Sequence, residues 1–299
     1  MIPMLFTVSY AGLWGQHKLS LPEALRKAKA IGYPAVEIMG KRPHLSVVDM
    51  SLDDVRAVRA LADDLGLRIG TVAAYTNFTG GLESREVPFV EMQLAYVRRL
   101  AEFAELLGAG LIRIFTGYFT DKLPYQGQWN LCVDAVREAA TIGANHGVAI
   151  GLQNHHDIGV AAESYEDFLN DVGHPNCKAM FDAWSIALQD ADLYYWAKRL
   201  APRSVQTTVA DYVKHPRHHL IADTSNYERL PVDSLRAAPM GDGFIDYASF
   251  FRGLKEGGFD GYVSYEMCWP LLGGGRLENL DACARKSLEA IKRLTGERG

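Results

Sequence analysis

A Cys-x-x-Cys pair is missing from this chain, as are a long apolar run, a Gly-x-Gly-x-x-Gly loop and an excess of basic charge. The four cysteines, Cys132, Cys177, Cys268 and Cys283, stand far apart. That spacing excludes a zinc ribbon or a dithiol redox motif and suits reduced thiols, most of them in a core, with a cytoplasmic location expected. No stretch approaches the ~20 apolar residues that span a bilayer, so no membrane partner is expected. Met1 to Gln16 shows no basic region followed by a long apolar segment, which speaks against a secretory leader. A net charge of -5 argues against a nucleic-acid grip, which needs a basic face. The basic clusters are local: Lys41-Arg42-Pro43-His44, Arg98-Arg99, and Lys214 to His219.

What is present is an alternation. Strand-like runs at Leu5–Tyr10, Ala35–Met39, Leu67–Ala74, Leu111–Phe115, Val148–Gln153, Lys178–Phe181, Ser204–Val209 and Tyr262–Tyr265 are each followed by a helical period or a long connection. The helical segments are Leu21–Ile31, Ser51–Leu65, Val87–Leu107, Trp129–Asn145, Ser164–Val172, Asp192–Leu200, Asp246–Gly257 and Asn279–Leu294. Eight repeats without a break in composition predict one domain over residues 1–299, a (β/α)8 TIM barrel of class α/β. A doubly wound sheet is the runner-up, and the missing glycine-rich loop counts against it.

In such a barrel the active site lies at the carboxyl ends of the strands. There the sequence changes character most abruptly at Gln153-Asn-His-His-Asp157, directly after a buried apolar strand. Alternation puts Gln153 and His155 on one side and Asn154 and His156 on the other. Asp182 ends strand six, Gln206 or Thr208 faces in from strand seven, and Glu266 ends strand eight. Two carboxylates on neighbouring strand ends repel unless protonated, paired or bridged by a cation. Oxygen and imidazole donors around an open position suit Mn²⁺, Mg²⁺, Co²⁺ or Zn²⁺.

The segments Gly147-Val-Ala-Ile-Gly-Leu-Gln-Asn-His-His156, Phe181-Asp-Ala183, Thr208-Val-Ala-Asp211, Pro239-Met-Gly-Asp-Gly-Phe-Ile-Asp246 and Gly257-Gly-Phe-Asp-Gly-Tyr-Val-Ser-Tyr-Glu266 carry a resemblance over the whole chain. It resembles the xylose isomerase-like TIM barrel superfamily, the sugar phosphate isomerases and epimerases with ketose 3-epimerase and inosose dehydratase relatives. The resemblance implies a divalent metal held by Glu, Asp, His and Glu at the ends of strands five to eight. Asp182 and Glu266 match those positions, whereas Gln153 stands for the first Glu and Thr208 for the His. Gln206, two residues earlier on the same face, is the substitute donor. The expected metal set is thus Gln153, Asp182, Gln206 and Glu266.

The resemblance further implies proton abstraction alpha to a carbonyl through an enediolate. An amide cannot take that proton, so the base is expected among Glu266, His155 and His156. The expected activity is that of a metal-dependent sugar isomerase or epimerase. The alternative is a lyase performing β-elimination on a keto sugar, keto cyclitol or 3-keto glycoside; less favoured is a non-catalytic sugar-binding barrel. Substrate contacts are expected from Lys41, Arg42 and His44 beyond strand two, Trp184 after strand six, Asp211 after strand seven, and Arg217 as part of a lid. Trp269 and the Gly273-Gly-Gly-Arg276 loop follow strand eight as weaker candidates. The partner is a small-molecule sugar or sugar derivative, and the helical exterior permits a homo-oligomer.

Overall fold

A computed structural model describes residues 1–84 and 86–296. Arg85 and residues 297–299, which belong to the expected domain, lie outside the described residues. Eight parallel strands form one sheet: β1 (Ile2–Phe6), β2 (Ala35–Met39), β3 (Arg68–Ala73), β4 (Leu111–Ile114), β5 (Ala149–Gln153), β6 (Cys177–Met180), β7 (Gln206–Val209) and β8 (Tyr262–Tyr265). Around the sheet β1 pairs with both β2 and β8, and β8 pairs in turn with β7. The barrel is nearly closed. Its seam lies between β6 and β7, where a single bridge joins Ala179 to Ser204 and the Val205 N–H donates to the Ala179 carbonyl at 3.0 Å.

Helices fill the connections, and their ends follow local chemistry. Ser20 and Glu23 form a capping box that starts the helix Leu21–Ile31, and Ser51 with Asp54 does the same for Leu52–Asp64. Gly32, at φ 105°, ends the first of these in the left-handed region that glycine tolerates. The helix expected from Trp129 begins a turn earlier, at Tyr125. Its opening turn carries the solvent-exposed Tyr125, so the apolar period that signals a helix is absent there. Cys132 and Cys283 are buried, as expected of core thiols, while Cys177 and Cys268 are only partly so, and all four are free.

The largest departure from expectation is the long connection after β7. Lys214 to Gly243 is not an irregular loop. Asp211–His215 pairs antiparallel with Ser234–Ala238, and His218–Ile221 pairs with Asn226–Arg229 as an outer hairpin. Ser225, at φ 48°, makes the tight turn between the outer strands. Among the described residues no helix is long and apolar enough to cross a membrane.

Candidate active site

The strands aim a polar network into the barrel centre. Glu37 on β2, Arg113 on β4 and Gln206 on β7 are interior residues with exposures of 0 %, 2 % and 0 %. The Gln206 amide donates to Glu37 Oε2 at 2.7 Å, and the Thr71 hydroxyl donates to Gln206 Oε1 at 2.5 Å. Arg113 Nε lies 3.9 Å from Glu37 Oε1. Burial pushes the Glu37 carboxyl up to about 7, against the opposing pull of Arg113. Gln206, an expected metal donor, thus lies below the mouth as a buried link between Glu37 and Thr71.

Above this layer lies the mouth. The Gln153 amide nitrogen donates to Asp182 Oδ2. The Asn154 side chain brackets the Asp182 backbone, accepting from its N–H at 2.7 Å and donating to its carbonyl at 3.1 Å. Asn154, which sequence reasoning assigned no role, thus locks the ends of β5 and β6 together. Gln153 Oε1 and Asp182 Oδ1 remain buried without a partner. Burial pushes Asp182 up to about 7.

The two histidines after β5 take a particular posture. His156 has φ 68°, an unusual value outside glycine, and its N–H donates to His155 Nδ1 at 2.8 Å. That bond leaves the His155 proton on Nε2. Burial lowers the pKa values of His155 and His156 to about 4 and about 3, with Arg113 adding to the effect, so both rings are neutral at pH 7. They join an aromatic wall. His156 stacks on Tyr118 at 4.0 Å between centroids, Phe115 touches both imidazoles, and His155 packs toward Trp184 at 5.3 Å.

Glu266 follows β8 at the mouth, where its N–H donates to the Val209 carbonyl at 3.0 Å. Its Oε1 accepts from the Cys268 thiol at 3.2 Å, and Tyr212 shares a bond with that sulfur at 2.9 Å. Confinement raises the Glu266 pKa, opposed by Arg113. A cavity of about 710 Å³ opens over these groups. Lys41, Arg113, Gln153, His155, His156, Trp184 and Glu266 line it, and Arg217 comes in from the ribbon that follows β7.

Three expected substrate contacts lie elsewhere. Arg42 is exposed and paired with Asp49. His44 is buried against β1, with Nδ1 3.0 Å from the Thr7 hydroxyl and Nε2 3.2 Å from the Leu19 carbonyl. Asp211 turns away from the cavity: its carboxylate accepts from the N–H groups of Gly241 at 2.8 Å, Gly243 at 2.9 Å and Tyr212 at 2.9 Å. A side chain at Gly243 would collide with that carboxylate, so glycine is required there. Sequence reasoning missed Glu37, Tyr75, Arg113 and Tyr118. A signal existed for two of them, because Glu37 in Ala-Val-Glu-Ile-Met and Arg113 in Leu-Ile-Arg-Ile are single charges inside buried apolar strands.

The family model for the xylose isomerase-like TIM barrel matches residues 25–294. The chain belongs to that family. It is 22% identical over 299 residues to fructoselysine 3-epimerase of Escherichia coli O157:H7, covering 95% of this chain and 96% of that protein. The fold is shared with a probable 3-DHS dehydratase, AsbF, from Bacillus anthracis, at a TM-score of 0.71, 18% identity and full coverage of both chains. It is shared also with the IOLI protein carrying a bound zinc atom, at a TM-score of 0.73, 17% identity and 99% of each chain.

The ligand set implied by the resemblance is not assembled in this member of the family. Among the described residues no three His, Cys, Asp or Glu side chains stand grouped to hold an ion. Position 153 offers an amide, Gln206 is spent on Glu37, and position 208 offers only a hydroxyl. Two carboxylates and one amide oxygen do not replace the four-ligand set, so the residues present do not fit a divalent ion held in the family manner.

Proposed function

We propose that this chain is a single-barrel enzyme that removes a proton alpha to the carbonyl of a sugar-like substrate and acts as an isomerase or epimerase. The reading is supported by the epimerase name of the 22% identical relative and by the family match. The observation that carries it is Glu266, a carboxylate on a rigid strand end that faces a cavity large enough for a sugar derivative. Its pKa is raised by confinement, which makes the anion a stronger base. The Tyr212–Cys268 chain holds one carboxylate oxygen and leaves the other to take the proton.

His155 and His156 serve better as neutral groups than as the base. The Nε2–H of His155 is a hydrogen-bond donor for a substrate hydroxyl or carbonyl, and Trp184 and Tyr118 supply flat surfaces for the sugar's carbon face. Transfer between adjacent carbons needs a single carbon base, with Glu266 removing the proton and returning it to the neighbouring carbon while the hydroxyl proton passes between the two substrate oxygens. Inversion at one carbon needs a second group, and the β5 histidines stand three strands away across the mouth. The same donor aimed at a leaving oxygen favours the second reading, β-elimination by a keto-sugar or keto-cyclitol lyase. A divalent ion, manganese first, would supply Lewis-acid polarisation of the carbonyl, but the side chains at positions 153, 182, 206 and 266 do not fit one.

The test is deuterium wash-in at the alpha carbon of a panel of keto sugars and keto cyclitols, followed by proton NMR. Wild type is expected to exchange, and Glu266→Gln to slow exchange by about a thousandfold. Equal rates in the two proteins remove Glu266 from the reaction. Binding of a sugar without any exchange would leave a non-catalytic sugar-binding barrel.

A further inference from the structure

We propose that the floor of the cavity is an oxyanion site built on Arg113, with Lys41 beside it, which holds the negative oxygen formed on the substrate in place of a divalent ion. This rests on the proton-abstraction reading and deepens it. Arg113 stands on β4, directly across the barrel from β8 and its following Glu266. Its guanidinium is 2 % exposed and lines the cavity, yet Nε and Nη2 have no hydrogen-bond partner. Guanidinium N–H groups left bare in a buried place are costly, and an incoming oxygen satisfies them.

Charge at the floor points the same way. The Arg113 guanidinium lies 5.0 Å from the centroid of the Tyr75 ring, and the Lys41 ammonium lies 3.7 Å from the same centroid. Two cations share one aromatic ring. Phe6 and Phe115 close the box around Arg113 at 4.9 and 4.5 Å. Among the described residues the nearest counter-charge to Arg113 is Glu37, at ion-pair distance 3.9 Å, and Lys41 has no ion pair. Like charges this close repel, and an anion between them relieves the repulsion.

The chemistry balances without an added reagent. The C–H electron pair becomes the new C=C bond as Glu266 takes the proton, and the carbonyl π pair moves onto oxygen. That oxygen faces the guanidinium, where preorganised donors stabilise developing charge. Return of the proton from Glu266 to the neighbouring carbon, with the hydroxyl proton passing between the two substrate oxygens, completes the isomerisation.

The probe is oxalate, a planar dianion that mimics an enediolate, titrated by calorimetry into protein stripped of metal and checked by elemental analysis. Wild type is expected to bind; Arg113→Met is expected to weaken binding by about thirtyfold, with Arg113→Lys intermediate. Should Arg113→Met fail to fold, Glu37→Gln/Arg113→Met leaves no unpaired buried charge and carries the same expectation. Lys41→Met, at a partly exposed position, is expected to weaken binding by about fivefold. Oxalate binding that requires added Mn²⁺, or that is unchanged in the Arg113 and Lys41 variants, overturns the proposal. Phosphate bound as tightly as oxalate and lost in the same variants would assign the site to a phosphoryl group and overturn the enolate assignment. Metal-free oxalate binding that depends on Arg113, in a protein that exchanges no keto-sugar proton, would sink the isomerase reading and leave the anion site standing.

Discussion

Gln153 shows how one side chain changes what a site can hold. Its amide nitrogen donates to Asp182 Oδ2, a contact that a carboxylate at this position could make only by carrying a proton. Asp182 is already pushed up to about 7 by burial. Gln153→Glu would set a second carboxylate against it, with repulsion that only a proton or a cation relieves. At pH 8 without metal the variant is expected to melt about 3–6 °C below wild type, a scale set by the loss of one buried charge-assisted bond. Added Mn²⁺ is expected to restore most of that loss in the variant while leaving wild type unmoved. A wild-type melting temperature that rises with Mn²⁺ as steeply as the variant's would show that the amide does not weaken metal binding. The residue was conspicuous in the sequence because it stands at the end of an apolar strand, but its partner was not. Which oxygen its nitrogen meets depends on β6 lying beside β5, a distance of 29 residues along the chain.

Among elements, the ribbon after β7 positions the rim of the cavity, and Asp211 holds the ribbon's base. Its carboxylate takes the N–H groups of Gly241 and Gly243, joining the start of the excursion to its end. Asp211→Ala leaves those amides without their acceptor, costing roughly 2 kcal/mol. The expected result is faster limited proteolysis within the hairpin His218–Arg229 and a raised KM for whatever substrate exchanges deuterium, with kcat little changed. Unaltered cleavage would remove Asp211 as the anchor. The barrel strands were legible at this scale because buried parallel strands read as short apolar runs between helical periods. The ribbons were not, because His218–Ile221 and Asn226–Arg229 are exposed on both faces and carry no alternation of polar and apolar residues. Glu37 and Arg113 each left a signal as a lone charge, but their pairing left none. Each lies inside a strand whose apolar neighbours dominate the pattern, and their meeting at the barrel centre follows only from closure of the sheet.

Across the whole molecule, closure places ionisable groups in the interior, so stability must depend on pH through groups of opposite sign. His44, buried between β1 and the loop after β2, has its pKa lowered to about 4, chiefly by burial. A depressed pKa means that the folded state binds its proton less readily than the unfolded chain does. Its contribution to stability is therefore fully present above the unfolded value of about 6.5 and is lost as pH falls through about 4. Glu37 acts in the other direction. With its pKa raised to about 7, its contribution is present below the unfolded value of about 4.5 and is lost as pH rises through 7. His155 and His156 share the sign of His44, and Asp182 that of Glu37. The opposed slopes overlap between pH 4.5 and 6.5, so a melting curve of wild type alone shows little of either. The difference between wild type and His44→Gln cancels every group but His44. That gap is expected to be constant above pH 7 and to narrow by on the order of 3 kcal/mol as pH falls to about 4, read from denaturant melts at each pH. A gap that widens on acidification would mean that His44 is charged in the folded barrel, with the Leu19 carbonyl and the Thr7 hydroxyl both acting as acceptors.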